Sequence, residues 1–247
     1  ADAATTGQEN TVVGYAALTT DTKGKKSVAV GNSALQNQNF TTATDSYNVA
    51  VGFEAGIAVT TGIQNTLIGG DAGKDMTSGN NNTAVGFRAL QNDTLGDRSV
   101  AIGRGALSSQ NFTTSTDAYN VAIGYDAGND ITTGSLNVCI GGLAGDEMTT
   151  GSNNVFVGYG AGGDGVVSGN DNTAIGIFAL EDLTSGSNNL CLGHDSGRSG
   201  SPGGVVTTHS NEIHIADENI TSAHIQVALT VASDQRDKTD FVDLDLG

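Results

Sequence analysis

The residues best suited to metal chemistry are three histidines near the C-terminal end, His209, His214 and His224. A zinc site needs three or four histidine, cysteine or carboxylate ligands at suitable spacings, and no cysteine or carboxylate has such a spacing from these histidines. His214 also belongs to NEIHIA (211–216), whose alternation predicts a strand with the imidazole on its polar face. We therefore expect surface or interface histidines, no metal and no cofactor.

The two cysteines, Cys139 and Cys191, could support thiol or disulfide chemistry. They occupy the same place in two copies of a sequence repeat and lie three copies apart. If successive copies stack at about 4.8 Å, the two residues are about 14 Å apart, which is too far for an intrachain disulfide. We interpret them as buried small apolar residues, with a bridge across a symmetric oligomer as the alternative.

Carboxylates suited to glycoside cleavage recur at one variable position of the same repeat, at Glu54, Asp71, Asp126 and Asp195. A glycosidase needs two carboxyl groups roughly 5–9 Å apart in a groove, and neighbouring copies could bring two together. The chain has no tryptophan to serve as a sugar platform. We expect no enzymatic activity of this kind, with a polysaccharide-degrading spike as the least favoured alternative.

The repeat that must position the cysteines and carboxylates occurs eleven times between residues 10 and 197. Each copy, called a rung below, has Asn or Ser, three mostly apolar residues, a central glycine, two variable residues and then Ala, or Ser in the last copy. The central glycines are 14, 31, 52, 69, 86, 103, 124, 141, 158, 176 and 193. The spacing is 17 or 18 residues except for two rungs of 21, and this regularity predicts a stacked solenoid rather than a globule.

Numbering the central glycine as position 0, positions −3 to −1 predict a short β-strand. Positions −1 and −3 point to one side of a strand and position −2 to the other. Position −1 is Val, Ile or Leu, position −3 is Val, Thr or Leu and position −2 is most often Ala, so both sides are largely apolar. A strand buried on both faces is typical of a covered parallel sheet. One narrow rung has a single interior, so the second face requires another copy of the chain, and we expect an oligomer.

Polar and glycine residues at fixed positions predict the turns. Asn at position −4 in nine rungs can stack as a ladder in which each side-chain amide bonds the next rung, and the recurring glycines are suited to corners with positive φ. We assign these residues to the scaffold rather than to catalysis or phosphate binding.

A longer repeat of 72 residues is superimposed on the short one, so that residues 11–82 recur as 83–154. Each unit contains one 21-residue rung with two aromatic residues, and these four are the candidate receptor-binding residues: Phe40, Tyr47, Phe112 and Tyr119. Extra residues in a solenoid rung usually form a loop on one face, where aromatic side chains can stack on sugars or bind a protein. Alternatively, these loops fold back and fill gaps between subunits.

The repeat ends near residue 197, after which RSGSPGG (198–204) contains the only proline. We divide the chain into a lead-in from a preceding segment (1–9), the repeat region (10–197), a connector with two half-buried strands forming a neck (198–232) and a charged C-terminal segment (233–247). Because the chain begins at Ala1 without Met, we expect it to be a piece of a longer protein.

Composition excludes several classes of partner. The net charge is −17 and the ten Lys and Arg residues do not form a basic patch, so we expect no nucleic-acid binding. No membrane-length apolar run or signal peptide is present in the sequence, so we expect no membrane insertion.

The repeats with N-[TV]-A-[VI]-G-x-x-A resemble the head repeats of YadA-type trimeric autotransporter adhesins and related repeats in phage and virus tail fibres, over residues 10–197. The resemblance implies an all-β, left-handed parallel β-roll or β-solenoid of about eleven 17- to 21-residue rungs, assembled as a homotrimer that binds host surfaces. The 21-residue rungs and the recurring Thr-Gly pairs in the turns, such as Thr61-Gly62, are more similar to the viral repeats.

The C-terminal motif S-D-x-R-x-K, from Ser233 to Lys238, is similar to the start of the self-cleaving intramolecular chaperone of phage tail spikes and fibres. The resemblance implies cleavage between Ala232 and Ser233, with Ser233 as nucleophile and Lys238 as its base. Only the first fifteen residues of such a domain are present, so we expect a junction without the rest of the chaperone.

These observations together favour a structural and host-attachment segment of a trimeric viral tail fibre or spike, located in the virion. Its expected partners are two further copies of itself, other tail or virion proteins and a host cell-surface glycan or protein. The alternatives are the head of a trimeric adhesin on a bacterial surface and an inert fibre spacer.

Overall fold

A computed structural model describes residues 7–163, 167–201, 203–215, 217 and 219–222. Within these ranges every regular element is a β-strand, and the protein is an all-β parallel solenoid of about eleven turns, as the sequence predicts. The second of the two strands that we expect in the connector, HIQVALTVA (224–232), lies outside the described residues, as do the junction at Ser233 and the residue Lys238.

Twelve three-residue strands form one continuous parallel sheet. They are β1 (Thr11–Val13), β3 (Val28–Val30), β5 (Val49–Val51), β6 (Thr66–Ile68), β7 (Thr83–Val85), β9 (Val100–Ile102), β11 (Val121–Ile123), β12 (Val138–Ile140), β13 (Val155–Val157), β14 (Thr173–Ile175), β15 (Leu190–Leu192) and β16 (Ile213–Ile215). The strands of this sheet pair in chain order, and equivalent repeat positions face each other, as when Ala122 pairs with Cys139. The last strand pairs in register with β15, so the sheet continues beyond the boundary that we drew at 197.

Two further sheets of two short strands accompany the 21-residue rungs. In the first, β2 (Gly24–Lys25) pairs with β4 (Thr44–Asp45), and in the second, β8 (Gly96–Asp97) pairs with β10 (Thr116–Asp117). The inserted residues are therefore partly tied back to the preceding rung by parallel β-pairing.

The solenoid interior is built from position −2 of each strand together with the alanine at position +3. Ala50, Leu67 and Phe156, three of the −2 residues, are fully buried, whereas the −1 and −3 side chains that flank them are partly or largely exposed. The two apolar faces of the strand thus have different surroundings: position −2 packs inside the chain, and positions −1 and −3 form an outward face.

Asparagines at position −4 tie successive rungs together. The Asn65 backbone N–H donates to Asn48 Oδ1 at 2.9 Å, and Asn65 Nδ2 donates to the carbonyl of Gly79 in the next rung at 2.8 Å. The Asn82 backbone N–H in turn donates to Asn65 Oδ1 at 2.9 Å. Each such amide satisfies two backbone groups that would otherwise be buried without partners, so the predicted ladder is present, with the amides bonding mainly to backbone.

The central glycines allow the rungs to approach closely where each strand ends. All eleven have φ between 115° and 147°, a region that residues with a Cβ rarely adopt. A Cβ added at Gly69 would contact the carbonyl oxygen of Gly86 and lie 2.6 Å from its carbon. Glycine is thus required here both by conformation and by space.

Two buried polar clusters interrupt the apolar interior, and they are related by the 72-residue repeat. In the second, Gln110 Nε2 donates to Asp93 Oδ2 at 2.6 Å and to Ser99 Oγ at 3.1 Å, and Asn120 Nδ2 donates to Gln110 Oε1 at 2.8 Å. Asp21, Ser27, Gln38 and Asn48 make the same contacts in the first cluster. In most other rungs an apolar residue such as Met76 or Ile131 occupies the place of the aspartate or glutamine.

Candidate receptor-binding and interchain surfaces

The four aromatic residues of the long rungs divide into two buried and two exposed side chains. Phe40 and Phe112 are each only 6% exposed. The Phe40 ring lies over the chain at Gly24, where an added Cβ would be 2.9 Å from Phe40 Cδ2. The prediction that these two phenylalanines are available to a receptor is wrong, because both rings fill space within their own chain.

Tyr47 and Tyr119 are about half exposed, at 49% and 48%, and each lies beside an ion pair. Lys26 Nζ is 2.7 Å from Asp45 Oδ2, 3.1 Å from the Tyr47 hydroxyl and 5.1 Å from the centre of its ring. The hydrogen bond to Asp45 is the main cause that raises the pKa of Lys26 above its usual value.

The second unit repeats this arrangement with arginine in place of lysine. Arg98 forms an ion pair with Asp117, and its guanidinium carbon is 5.6 Å from the centre of the Tyr119 ring. A half-exposed tyrosine stacked with a cation therefore recurs after 72 residues and presents both an aromatic edge and polar groups to solvent.

A larger exposed feature is the outward face of the twelve-stranded sheet, formed by the −1 and −3 side chains. Its −1 residues include isoleucines exposed by 37–44%, and Val13 at the first strand is 59% exposed. These isoleucines are Ile68, Ile102, Ile123, Ile140 and Ile175. Every −1 position on the twelve strands is Val, Ile or Leu, and the −3 positions add Val, Leu, Ile or Thr. Soluble monomers rarely expose apolar patches of more than a few hundred Å², so a largely apolar sheet face of this length is typical of a protein interface.

Aromatic residues at position +1 border this outward face, and our sequence analysis missed them. Tyr15, Phe53, Phe87, Tyr125 and Tyr159 occur on every second rung and are 45–81% exposed. The rungs between them carry Asn32, Gly70, Arg104 and Gly142. The signal in the sequence was that aromatic and non-aromatic residues alternate at position +1 from rung to rung. We treated this position as variable and did not use the alternation.

The carboxylates at position +2 are held by neighbouring cations. Lys74 Nζ is 2.7 Å from Glu54 Oε2 and 3.4 Å from Asp71 Oδ1, and the hydrogen bond to Glu54 is the main cause that raises the Lys74 pKa. Asp126 is paired with Arg104 at 2.8 Å and Asp195 with Arg198 at 3.0 Å. These contacts give each carboxylate a structural role at the corner of a rung.

His214 corrects one prediction from the sequence. It occupies the −2 position of β16, opposite Cys191, and is 8% exposed, whereas Ile213 and Ile215 are each 70% exposed. The imidazole therefore points into the solenoid, and the isoleucines extend the outward face. Its Nε2 is 2.9 Å from Glu212 Oε2. His209 is exposed, His224 lies outside the described residues, and no group of three metal-ligating residues occurs within the described ranges.

The cysteines face the interior, as we interpreted them. Cys139 and Cys191 are free and fully buried on β12 and β15, three rungs apart. Burial raises the pKa of the Cys139 thiol to about 12 and that of Cys191 to about 11. Both thiols point away from the outward face, which removes the alternative of a disulfide between copies.

No helix with the length and apolar character needed to cross a membrane occurs in the part of the chain that the structure describes. No protein-family model, curated protein or solved structure matches this chain.

Proposed function

We propose that this protein is a segment of a trimeric fibre that attaches a virion to a host cell surface. The observation that carries the proposal is the outward apolar face of the twelve-stranded sheet. Because this face runs from β1 to β16, other copies of the same chain, with the same length and periodicity, are well suited to cover it.

Three copies related by a threefold axis would place the −1 and −3 side chains of each chain against those of the other two. Homo-oligomers with closed symmetry are the usual assemblies of soluble proteins. The aromatic residues at position +1 border the same face and would add contact area beside the axis. Twelve strands at about 4.8 Å give a rod of about 50 Å, a suitable shape for a fibre segment.

Attachment would take place on the outer surface of such a rod, where Tyr47 and Tyr119 are the exposed aromatic residues of the long rungs. Each is repeated threefold in a trimer, and multivalency makes weak individual contacts effective. Cleavage at the Ala232–Ser233 junction, with Ser233 as nucleophile and Lys238 as base, belongs to the same proposal and requires the remainder of a chaperone domain.

Light scattering on the purified chain tests the assembly. We expect a mass about three times that of the 24.8 kDa chain, and we expect Ile123→Lys, on the outward face, to yield monomer or aggregate. Asp130→Lys, at an exposed turn residue off the sheet, introduces the same side chain and should leave the mass unchanged. A monomeric wild-type protein would contradict the proposal.

Attachment is tested separately with host cells and the double variant Tyr47→Ala/Tyr119→Ala. If this variant remains trimeric and binds cells as well as the wild type, the tyrosines do not form the receptor site. If the wild-type trimer itself does not bind cells, the segment is a spacer.

A further inference from the structure

Position +2 forms a column of side chains along one corner of the solenoid, and the column is interrupted twice. Nine of the eleven rungs carry a side chain at this position despite a left-handed φ of 50–60°. The exceptions are Gly105 and Gly160, with φ of 69° and 61°. Each missing side chain leaves a notch between the rungs before and after it.

The notch over Gly105 is a cleft of about 300 Å³ with a polar lining. Around the glycine lie Arg88, Gln91, Arg104, Ser108, Asp126 and Asn129. This volume is at the lower end of the range for small-molecule sites, and the lining offers hydrogen-bonding groups in place of the apolar side chains that a lipid would need.

Most of these groups are already fixed by bonds to each other. Asn129 Nδ2 donates to the Gly105 carbonyl at 3.1 Å and to Ser108 Oγ at 2.9 Å. Arg104 Nη1 donates to both oxygens of Asp126 at 2.8 and 3.0 Å. The cleft is therefore organised before any ligand arrives, which lowers the entropic cost of binding.

Arg88 differs from the other arginines in the described part of the chain. Arg98, Arg104 and Arg198 each have a carboxylate partner within about 3 Å, whereas the nearest carboxylate contact of Arg88 is Asp71 Oδ2, 3.9 Å from its Nε. The Arg88 guanidinium lies over the Phe87 ring at 4.9 Å and is half exposed. It forms no hydrogen bond to another described residue, so its planar donors are available to an external carboxylate.

We propose that the Gly105 notch binds a carboxylated sugar, with the carboxylate on Arg88 and the ring hydroxyls on Gln91, Ser108 and Asn129. Nearby charges are balanced, since Lys74, Arg88 and Arg104 offset Glu54, Asp71 and Asp126. A single sugar carboxylate is thus tolerated here despite the net charge of −17. This inference rests on the proposed attachment function and names the class of glycan that one site would recognise.

The test is saturation-transfer NMR and calorimetry on the whole chain with glucuronic acid, glucose and acetate, in a buffer free of other carboxylates. We expect glucuronic acid to bind about tenfold more tightly than glucose or acetate, because only it offers both the carboxylate and the hydroxyls. Arg88→Gln should weaken glucuronic acid binding by about tenfold.

Filling the notch provides a second variant and a matched control. A Cβ at Gly105 would contact Asp126 Oδ1, so Gly105→Ala should weaken binding, while Gly160→Ala fills the other notch and should leave it unchanged. Circular dichroism and light scattering on each sample report folding and assembly. Absence of glucuronic acid binding to the wild type, equal binding of glucose or acetate, or full binding by folded Arg88→Gln and Gly105→Ala would overturn the proposal. If the wild-type trimer attaches to cells but does not bind glucuronic acid, the sugar site at Gly105 is refuted and the proposed attachment function is not.

Discussion

Gln38 donates a 2.6 Å hydrogen bond from Nε2 to Oδ2 of Asp21 on the preceding rung, and both side chains are buried. Gln110 and Asp93 form the same pair 72 residues later, at the same distance. In either pair, the carboxylate also accepts a hydrogen bond from the backbone of a nearby glycine, Gly24 or Gly96. In both copies of the 72-residue repeat, the buried aspartate thus lies beside a glutamine that donates to it.

Replacing that glutamine should destabilise the protein. Gln110→Met provides the side chain that Met76 and Met148 have at equivalent places, but it leaves Asp93 Oδ2 without its donor. We expect the free energy of unfolding to fall by about 2 kcal/mol. The loss in the double variant Asp93→Met/Gln110→Met should be smaller than the sum of the single losses, because it removes both partners. Urea unfolding followed by circular dichroism measures all three, and additive losses would show that the pair is not coupled.

The Asp93 carboxyl should make stability depend on pH. Burial raises its pKa above the usual 3.8, and hydrogen bonds from Gln110 and from backbone N–H groups oppose the shift only in part. The folded state therefore retains this proton to higher pH than the unfolded state does. The contribution of Asp93 to stability is fully present below pH 3.8 and is lost as pH rises through the raised pKa.

Comparing the wild type with Asp93→Asn isolates this contribution, because the variant keeps every other titrating group. The free energy of unfolding of the wild type, relative to the variant, should be greatest at about pH 3 and decrease towards about pH 7. A difference that stays constant with pH would show that the carboxyl does not titrate differently on folding.

Substitution by alanine should reduce stability far more at Gly69 than at the neighbouring Gly70. Gly69 has φ of 132° and an added Cβ would contact the Gly86 carbonyl, whereas a Cβ at Gly70 would make an ordinary 3.4 Å contact with Phe87 Cδ2. We expect Gly69→Ala to cost about 3 kcal/mol or more and Gly70→Ala to change stability by less than about 1 kcal/mol. Thermal unfolding of the two variants side by side checks this, and similar losses would mean that the close rung contact is not required.

Truncating one asparagine of the ladder should lower the free energy of unfolding, because it leaves two buried backbone groups without hydrogen-bond partners. Asn65→Ala removes the acceptor of the Asn82 N–H and the donor to the Gly79 carbonyl, so we expect a loss of about 2 kcal/mol or more. Asn65→Ser should lose less, since Ser27 and Ser99 occupy this position in two native rungs. The midpoints of urea unfolding rank the stabilities of the wild type and the two variants. An equal loss of stability in both variants would assign the effect to packing rather than to the hydrogen bonds.

The cysteines should be unreactive in the folded protein. Both thiols are fully buried, and burial raises the pKa values of Cys139 and Cys191 to about 12 and about 11, so little thiolate exists at neutral pH. A colorimetric disulfide reagent should label neither thiol in native buffer and both in concentrated urea. Thr41→Cys, at an exposed position, supplies a reactive control, and rapid native labelling of the wild type would contradict the interior placement.

The repeat made the architecture predictable, but it did not decide which face of each strand is inside. Positions −1 and −2 are apolar and position −3 is Val, Leu or Thr, so hydrophobicity alone does not show which face of the strand is inside. The outcome is consistent with size: position −2 is most often alanine, as at Ala84 and Ala101, and small side chains suit the narrow interior. The larger Ile102 and Ile123 at position −1 remain outside.

The sequence predictions for His214 and Phe40 were wrong for the same reason. A local sequence pattern does not show which residues of the neighbouring rung a side chain will contact. Alternation in NEIHIA predicted His214 on the polar face, but pairing with Cys191 places its imidazole inside and Ile213 outside. Phe40 belongs to a polar insertion that predicted a surface loop, yet it packs where Gly24 leaves room. In both cases the partner is distant in sequence and close in space.

The buried Asp–Gln pairs also bear on how the chain finds its fold. Near-identical rungs can mispair during folding, and repeat proteins are prone to such misassembly. If the chain were one rung out of step, Gln38 would no longer stand in contact with Asp21, and a carboxylate would be sealed in a dry interior without its donor. That free-energy cost disfavours the misaligned state, so the two Asp–Gln pairs favour the correct alignment of the rungs.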